Sequence, residues 1–131
     1  MKKNLITLAL IALTTLTTIA GSGYTSDNWH LIGTNHGKKT YVDHSRIKTM
    51  GNKSLISLWI KEVSPNGSNT VDHIIYDEDT ATYKIVSVTV YDKAGHEILS
   101  GNPHSSWDEV VPDTIIDAII KDVVNIDVNN R

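Results

Sequence analysis

The sequence contains no cysteine, no phenylalanine, three prolines and three tryptophans among its 131 residues. Without cysteine the chain forms no disulfide bond, and zinc sites built on thiolates are excluded. Its stability must therefore come from an ordinary hydrophobic core, which a chain of this length is able to bury. Because aromatic residues are so few, we expect Trp29, Trp59 and Trp107 to be anchors of the core or its edge and not platforms for a ligand.

The chain also lacks an excess of positive charge. It has 12 Lys and Arg residues against 15 Asp and Glu residues, a net charge of −3. The first 20 residues hold two Lys and no acid, so without them the balance is 10 minus 15, or −5. A mildly acidic product argues against binding to nucleic acid or to anionic membranes.

The N-terminus has the pattern of an export signal. Lys2 and Lys3 precede an uncharged apolar run, which ends at Ala20 and is followed by small residues. We expect cleavage after Ala20, because the run is short for a spanning helix; a retained membrane anchor is the alternative. Residues 1–20 are then a signal peptide and residues 21–27 a polar lead-in. The product is secreted, on the cell surface or periplasmic, and membrane contact is limited to the export signal. With no Cys near the cut, the protein is not a lipoprotein.

Six segments alternate apolar and polar residues, a pattern that predicts β-strands. They cover residues 29–33, 40–43, 53–63, 70–77, 82–92 and 96–100. In the third segment Ile56, Leu58 and Ile60 share one face, and Trp59 and Lys61 share the other. The connecting loops are too short for parallel crossovers, so we expect an antiparallel sheet.

The periodicity becomes helical after Pro112. Asp113 or Thr114 caps the start, and Asp117 and Lys121 form a favourable i,i+4 pair. We expect the helix to end near position 125, with residues 126–131 as a C-terminal tail. The predicted fold class is α+β, a six-stranded antiparallel sheet with one C-terminal helix packed on one face, in a domain covering residues 28–125. The apolar stripe of the helix consists of Ile115, Ile116, Ile119, Ile120, Val123 and Val124.

Candidate chemistry is sparse. No two histidines have the close spacing of a zinc site, although His30, His36 and His44 lie on neighbouring predicted strands and could meet in space. The run Asp77–Asp79 is interpreted as a solvated charge cluster. No Ser-His-Asp elbow, phosphate loop or dinucleotide motif is present, so we predict a protein that is not an enzyme and needs no metal or cofactor.

Basic residues near the first hairpins form a possible partner-contact patch for an acidic partner. Charge that serves only solubility is the favoured interpretation of the same residues. The patch comprises Lys38, Lys39, Arg46, Lys48 and Lys53.

Several short landmarks occur in a fixed order along the chain. They are a Trp-led strand (Trp29), YVDHSRI (41–47), GNKSLISLWI (51–60), YKIVSVTVYDKAG (83–95) and WDEVVPDT (107–114). Their order and spacing resemble the surface-adhesin protein E family of exported bacterial domains. The landmarks are turn formers, strand aromatics and a helix start, so they indicate a fold more than a site. Relatives carry two cysteines that could pair, and this chain has neither, so its helix depends on its Ile and Val face.

The resemblance implies a non-enzymatic, adhesin-like binding module that contacts a host or extracellular-matrix protein, such as vitronectin or laminin. It assigns no adhesive residue, because such contacts lie on exposed loops that vary on a fixed scaffold. The alternative function is a periplasmic or secreted domain that binds a small ligand or another envelope protein.

Overall fold

The computed structural model describes residues 28–51, 54–103 and 106–130. The predicted signal peptide and polar lead-in lie outside this part of the chain. A 3-10 turn, His44–Arg46, follows the second strand, and one helix, α1 (Ile115–Asn130), follows the last strand. The strands are β1 (Trp29–Asn35), β2 (Lys38–Asp43), β3 (Lys48–Met50), β4 (Leu55–Val63), β5 (Asn69–Asp77), β6 (Thr82–Tyr91), β7 (Glu97–Gly101) and β8 (Asp108–Glu109).

The six long strands form one antiparallel sheet in the order β1-β2-β4-β5-β6-β7, with the helix after it in the chain. This confirms the predicted α+β fold class. The sequence patterns missed the short strands β3, which pairs with β4, and β8, which pairs with β6. Three and two residues are too few to show an alternation, and these strands exist only because a longer strand pairs with them.

The core lies between the helix and one face of the sheet, called here the inner face. Ile56, Leu58 and Ile60 of β4 alternate into it as predicted, and the exposed fraction of each is at most 7%. Ile119 and Val123 of the helix pack against them and are 1% and 0% exposed. Most of the isoleucine and valine stripe of the helix therefore closes the core, whereas its first isoleucine is 36% exposed.

The start of the helix follows the predicted capping chemistry. Of the two candidate caps, Thr114 fills the position: its carbonyl accepts from the Ala118 amide at 3.1 Å, and its hydroxyl accepts from the Asp117 amide at 3.3 Å. Asp117 also forms the predicted pair with Lys121, whose Nζ lies 3.0 Å from Oδ2. The Thr114 hydroxyl thus satisfies the Asp117 amide, one of those that the first helical turn leaves without an intrahelical partner.

The helix ends later than predicted. It continues to Asn130 instead of ending near position 125, so residues 126–130 are helical and not a tail. Asp127 explains the difference, because it is 5% exposed and accepts a hydrogen bond from the Thr49 hydroxyl at 2.5 Å. This contact ties the last turns to β3, a strand that the sequence patterns did not reveal.

A bulge in β6 alters the predicted alternation of that strand. Ser87 pairs with His73, but the next pair joins Ile85 to Ile74, so Val86 is an extra residue. The bulge lets Ile85 pack against the core on the same side as Val88, whose strand partner is Asp72. Simple alternation fails across a bulge, because two residues face one.

Candidate functional site

The sheet face opposite the helix, called here the outer face, carries a row of aromatic and basic side chains. Strand register places them side by side, since Tyr41 of β2 pairs with Lys61 of β4, and Trp59 of β4 pairs with His73 of β5. Trp29 lies on β1, on the same face. All five are partly buried. We call Trp29, Tyr41, Trp59, Lys61 and His73 the aromatic–lysine cluster.

Lys61 is at the centre of one half of the cluster. Its ammonium lies 4.7 Å from the ring centre of Trp29 and 5.5 Å from that of Tyr41, distances typical of cation–π contacts. Burial lowers the pKa of Lys61 to about 8, and the nearby Asp43 carboxylate opposes this shift. The ring faces also favour the ammonium. Lys61 is therefore a cation held in a half-dry setting, the state in which a lysine contacts a partner at low desolvation cost.

Asp43 is the anion of this region and is fully buried at the end of β2. Its Oδ1 accepts hydrogen bonds from the amide of Ser45 at 2.9 Å and from its hydroxyl at 2.5 Å. The carboxylate thus caps the 3-10 turn that follows β2. It fixes the end of the strand beside the cluster.

The other half of the cluster is a stacked pair. The rings of Trp59 and His73 lie 4.5 Å apart and within 7° of parallel. The Ser57 hydroxyl contacts Nε2 of His73 at 2.6 Å, and burial lowers the pKa of His73, which favours the neutral ring. A serine nucleophile would need this histidine to be oriented by an acid. Within the described ranges the ring is held by Trp59 and Ser57, and no carboxylate bonds to it.

The predicted basic patch separates into two groups. Lys39 pairs with Val63 at one end of β4, and Lys48 pairs with Ser57, which lies six residues away and therefore roughly 20 Å along the strand. Lys38 lies next to Lys39, and its Nζ is 3.9 Å from Oε1 of Glu62.

Arg46, two residues before Lys48 in the chain, belongs to the group at the other end of β4. Its Nε is 3.9 Å from Oδ2 of Asp43. Lys53, the fifth predicted member, lies outside the described residues. The patch is therefore divided between the two ends of β4, and Lys38 and Lys39, as neighbours on β2, point to opposite faces of the sheet. Contact between these lysines and an acidic partner stays a prediction.

Of the three histidines that could meet in space, two do so. The rings of His30 and His44 stack at 3.8 Å, and Nε2 of His44 lies 2.7 Å from Oδ2 of Asp122 on the helix. His36 is in the β1–β2 turn, away from that stack. Across the described residues, no group of three or more His, Cys, Asp or Glu side chains is placed to hold a metal.

A cleft of about 550 Å³ opens on the helix side of the sheet, between one edge of the helix and the ends of β5 and β8. Its walls are mostly apolar, with Tyr76 and Val110 on the sheet side and Ile120, Val124 and Val128 on the helix side. Apolar walls and this volume suit a small molecule.

Sequence reasoning did not find the aromatic–lysine cluster. It placed Trp59 and Lys61 on the strand face opposite the core residues, where the structure has them, but it expected Trp29 and Trp59 to be anchors of the core or its edge, and both are half-buried on the outer face. The signal was present, because Trp59 alternates with the core residues Leu58 and Ile60. What the pattern could not supply was the neighbouring residue on each adjacent strand.

The chain matches the model of one protein family, surface-adhesin protein E, over residues 29–123. No curated protein and no solved structure matches it. Of the described segments, none is a helix long and apolar enough to cross a membrane.

Proposed function

Because this chain belongs to the surface-adhesin protein E family, we propose that it is an exported, non-enzymatic binding module that contacts a host or extracellular-matrix protein. Vitronectin and laminin are the partners to test first. We assign the contact to the outer face of the sheet. The single observation that carries this assignment is the aromatic–lysine cluster.

The composition of the cluster supports a protein contact. Tryptophan and tyrosine supply much of the binding energy in protein interfaces, since they bury large areas with few rotatable bonds. Here Trp29 and Tyr41 flank Lys61, and Trp59 is held flat against His73. Side chains that are already packed lose less conformational entropy on binding. An anionic patch on the partner would complement the Lys61 ammonium.

The alternative function is a domain that binds a small ligand or an envelope protein. The cleft beside the helix favours the small-ligand form of this alternative, because its apolar walls and a volume of about 550 Å³ suit a small molecule. The cleft is on the helix side of the sheet, so the two functions involve different residues. Substitutions therefore distinguish them.

The test measures binding of the protein, purified as its host cell processes it, to immobilised vitronectin and laminin at low and physiological salt. We expect saturable binding at physiological salt. Attraction that disappears with added salt would be non-specific and would contradict the proposal. Trp59→Ala should weaken binding about 30-fold, the effect of losing one interface hot spot.

The matched control is Trp107→Ala. Trp107 is 43% exposed and lies under Nζ of Lys84, outside the cluster. Its loss should leave affinity within about threefold, since side chains outside a binding hot spot contribute little to affinity. Equal losses for Trp59→Ala and Trp107→Ala would refute the assignment to the cluster. Loss on Val124→Asp, with Trp59→Ala unaffected, would favour the cleft. Protease treatment of intact cells tests exposure at the surface.

A further inference from the structure

Two carboxyl groups lie on the inner face of the sheet, at the end of β4 and the start of β5. Glu62 pairs with Thr70 and Ile60 pairs with Asp72, so the two acids are diagonal neighbours on adjacent strands. Diagonal neighbours on one face of an antiparallel pair are about 7–8 Å apart, within reach of each other's side chains. The cluster and the cleft described above include neither acid.

Both acids are largely withdrawn from water. Asp72 is 4% exposed and the side chain of Glu62 is 16% exposed, and the adjacent Thr70 and Thr40 are 1% and 4% exposed. Oδ1 of Asp72 and Oε1 of Glu62 are buried, and within the described ranges neither accepts a hydrogen bond. An ionised carboxylate in such a place costs much more than a neutral carboxyl group.

The strands on either side of the two acids, β2 and β6, bring few charges to them. On β2, Lys38 approaches Oε1 of Glu62 at 3.9 Å with its own side chain 39% exposed, and Thr40 faces Glu62 without charge. On β6, the partner of Asp72 is the apolar Val88. Burial raises the pKa of Asp72 well above its usual range, and the Glu62 charge adds to this. Burial also raises the pKa of Glu62, with Lys38 opposing the shift.

We propose that Glu62 and Asp72 form a proton-binding pair, which stabilises the fold in acid and destabilises it as the pair ionises toward neutral pH. Two neighbouring carboxyl groups hold a proton more tightly than either would alone, because both cannot ionise without repulsion. Lys38 balances one negative charge at most. A proton fits the site better than a metal ion, since the two carboxyl groups have no third acidic or histidine ligand beside them among the described residues.

The direction of the pH effect follows from proton counting. Each pKa is higher in the folded state than in the unfolded chain, so between the two values the folded state holds more protons. The stabilisation of the fold by the protonated pair is therefore fully present below the pKa of an ordinary carboxyl in the unfolded chain, about 4. It is lost as pH rises through the folded pKa. Other carboxylates that are stabilised by folding act in the opposite direction, so the effect is measured as a difference between variants.

The experiment compares thermal unfolding of the processed protein and of Asp72→Asn from pH 4 to pH 8. Asparagine keeps the shape of Asp72 but does not ionise. We expect the midpoint of Asp72→Asn to exceed that of the wild type by on the order of 5 °C or more at pH 7.5, and the gap to close near pH 4. The matched control is Asp79→Asn, an exposed carboxylate in the β5–β6 turn, which should follow the wild type at every pH.

A constant gap between Asp72→Asn and the wild type from pH 4 to pH 8 would overturn the proposal, as would no gap. Carbon-13 NMR of the carboxyl groups provides a second measurement that needs no variant. The signals of Glu62 and Asp72 should titrate above those of the exposed carboxyls of the same molecule. If the signals of Glu62 and Asp72 both titrated at the same pH as the exposed carboxyls, the proton-binding pair would also be refuted. Loss of vitronectin or laminin binding does not bear on this result, so the two proposals fail separately.

Discussion

Replacing Ile119 by alanine tests the contact between helix and sheet. Ile119 is 1% exposed and packs in the core cluster with residues of β2, β4 and β5. The change removes three buried carbons, which at about 0.8 kcal/mol each costs about 2.5 kcal/mol in transfer free energy. The cavity left behind brings the expected loss to about 3–4 kcal/mol. For a domain of this size the thermal midpoint should fall by roughly 15 °C.

The assay is urea and thermal unfolding followed by circular dichroism. Ile98→Ala is the matched control, because it removes the same atoms from a side chain that is 63% exposed on β7. We expect Ile98→Ala to cost less than about 1 kcal/mol. Equal effects of the two substitutions would refute the packing of the helix on the sheet. Ile119→Asp buries an unpaired charge in the same place and should abolish folding.

Two further substitutions test the surroundings of the core. Lys61→Met should remove a pH dependence of the wild type. The pKa of Lys61 is about 8 in the folded protein and about 10.5 in the unfolded chain, so the unfolded chain holds more protons between these values. Wild-type stability should therefore rise from pH 8 to pH 9.5 relative to the variant. Equal pH slopes in urea unfolding would contradict this. Asp127→Ala removes the buried acceptor of the Thr49 hydroxyl and should cost about 1–3 kcal/mol and increase amide exchange in the last helical turns. Unchanged exchange after residue 125 would show that the contact does not hold the end of the helix.

The fold was predictable because its signals are local. The alternation of Ile56, Leu58 and Ile60 marks a strand with one buried face, and the spacing of Ile119 and Val123 marks a helix with one buried stripe. Such periods depend only on backbone geometry, so they are readable without a partner strand. The cap at the helix start is similarly local, since Thr114 bonds only to its neighbours.

Other features depended on tertiary contacts. The short strand β3 forms by pairing with β4, and the helix extends to Asn130 where Asp127 meets Thr49 of β3. The bulge at Val86 moved Ile85 toward the core although the local sequence suggests plain alternation. Each of these features requires a partner that is distant in sequence.

The sequence by itself therefore determined the compositional limits, the sheet with its covering helix and the family resemblance. Tertiary structure alone decided which side chains meet. It placed Tyr41 beside Lys61 and Trp59 beside His73 on one face, and Glu62 near Asp72 on the other. The physical reason is strand register: a slip of one residue would turn every side chain of a strand to the opposite face, and register is set by the whole packed sheet.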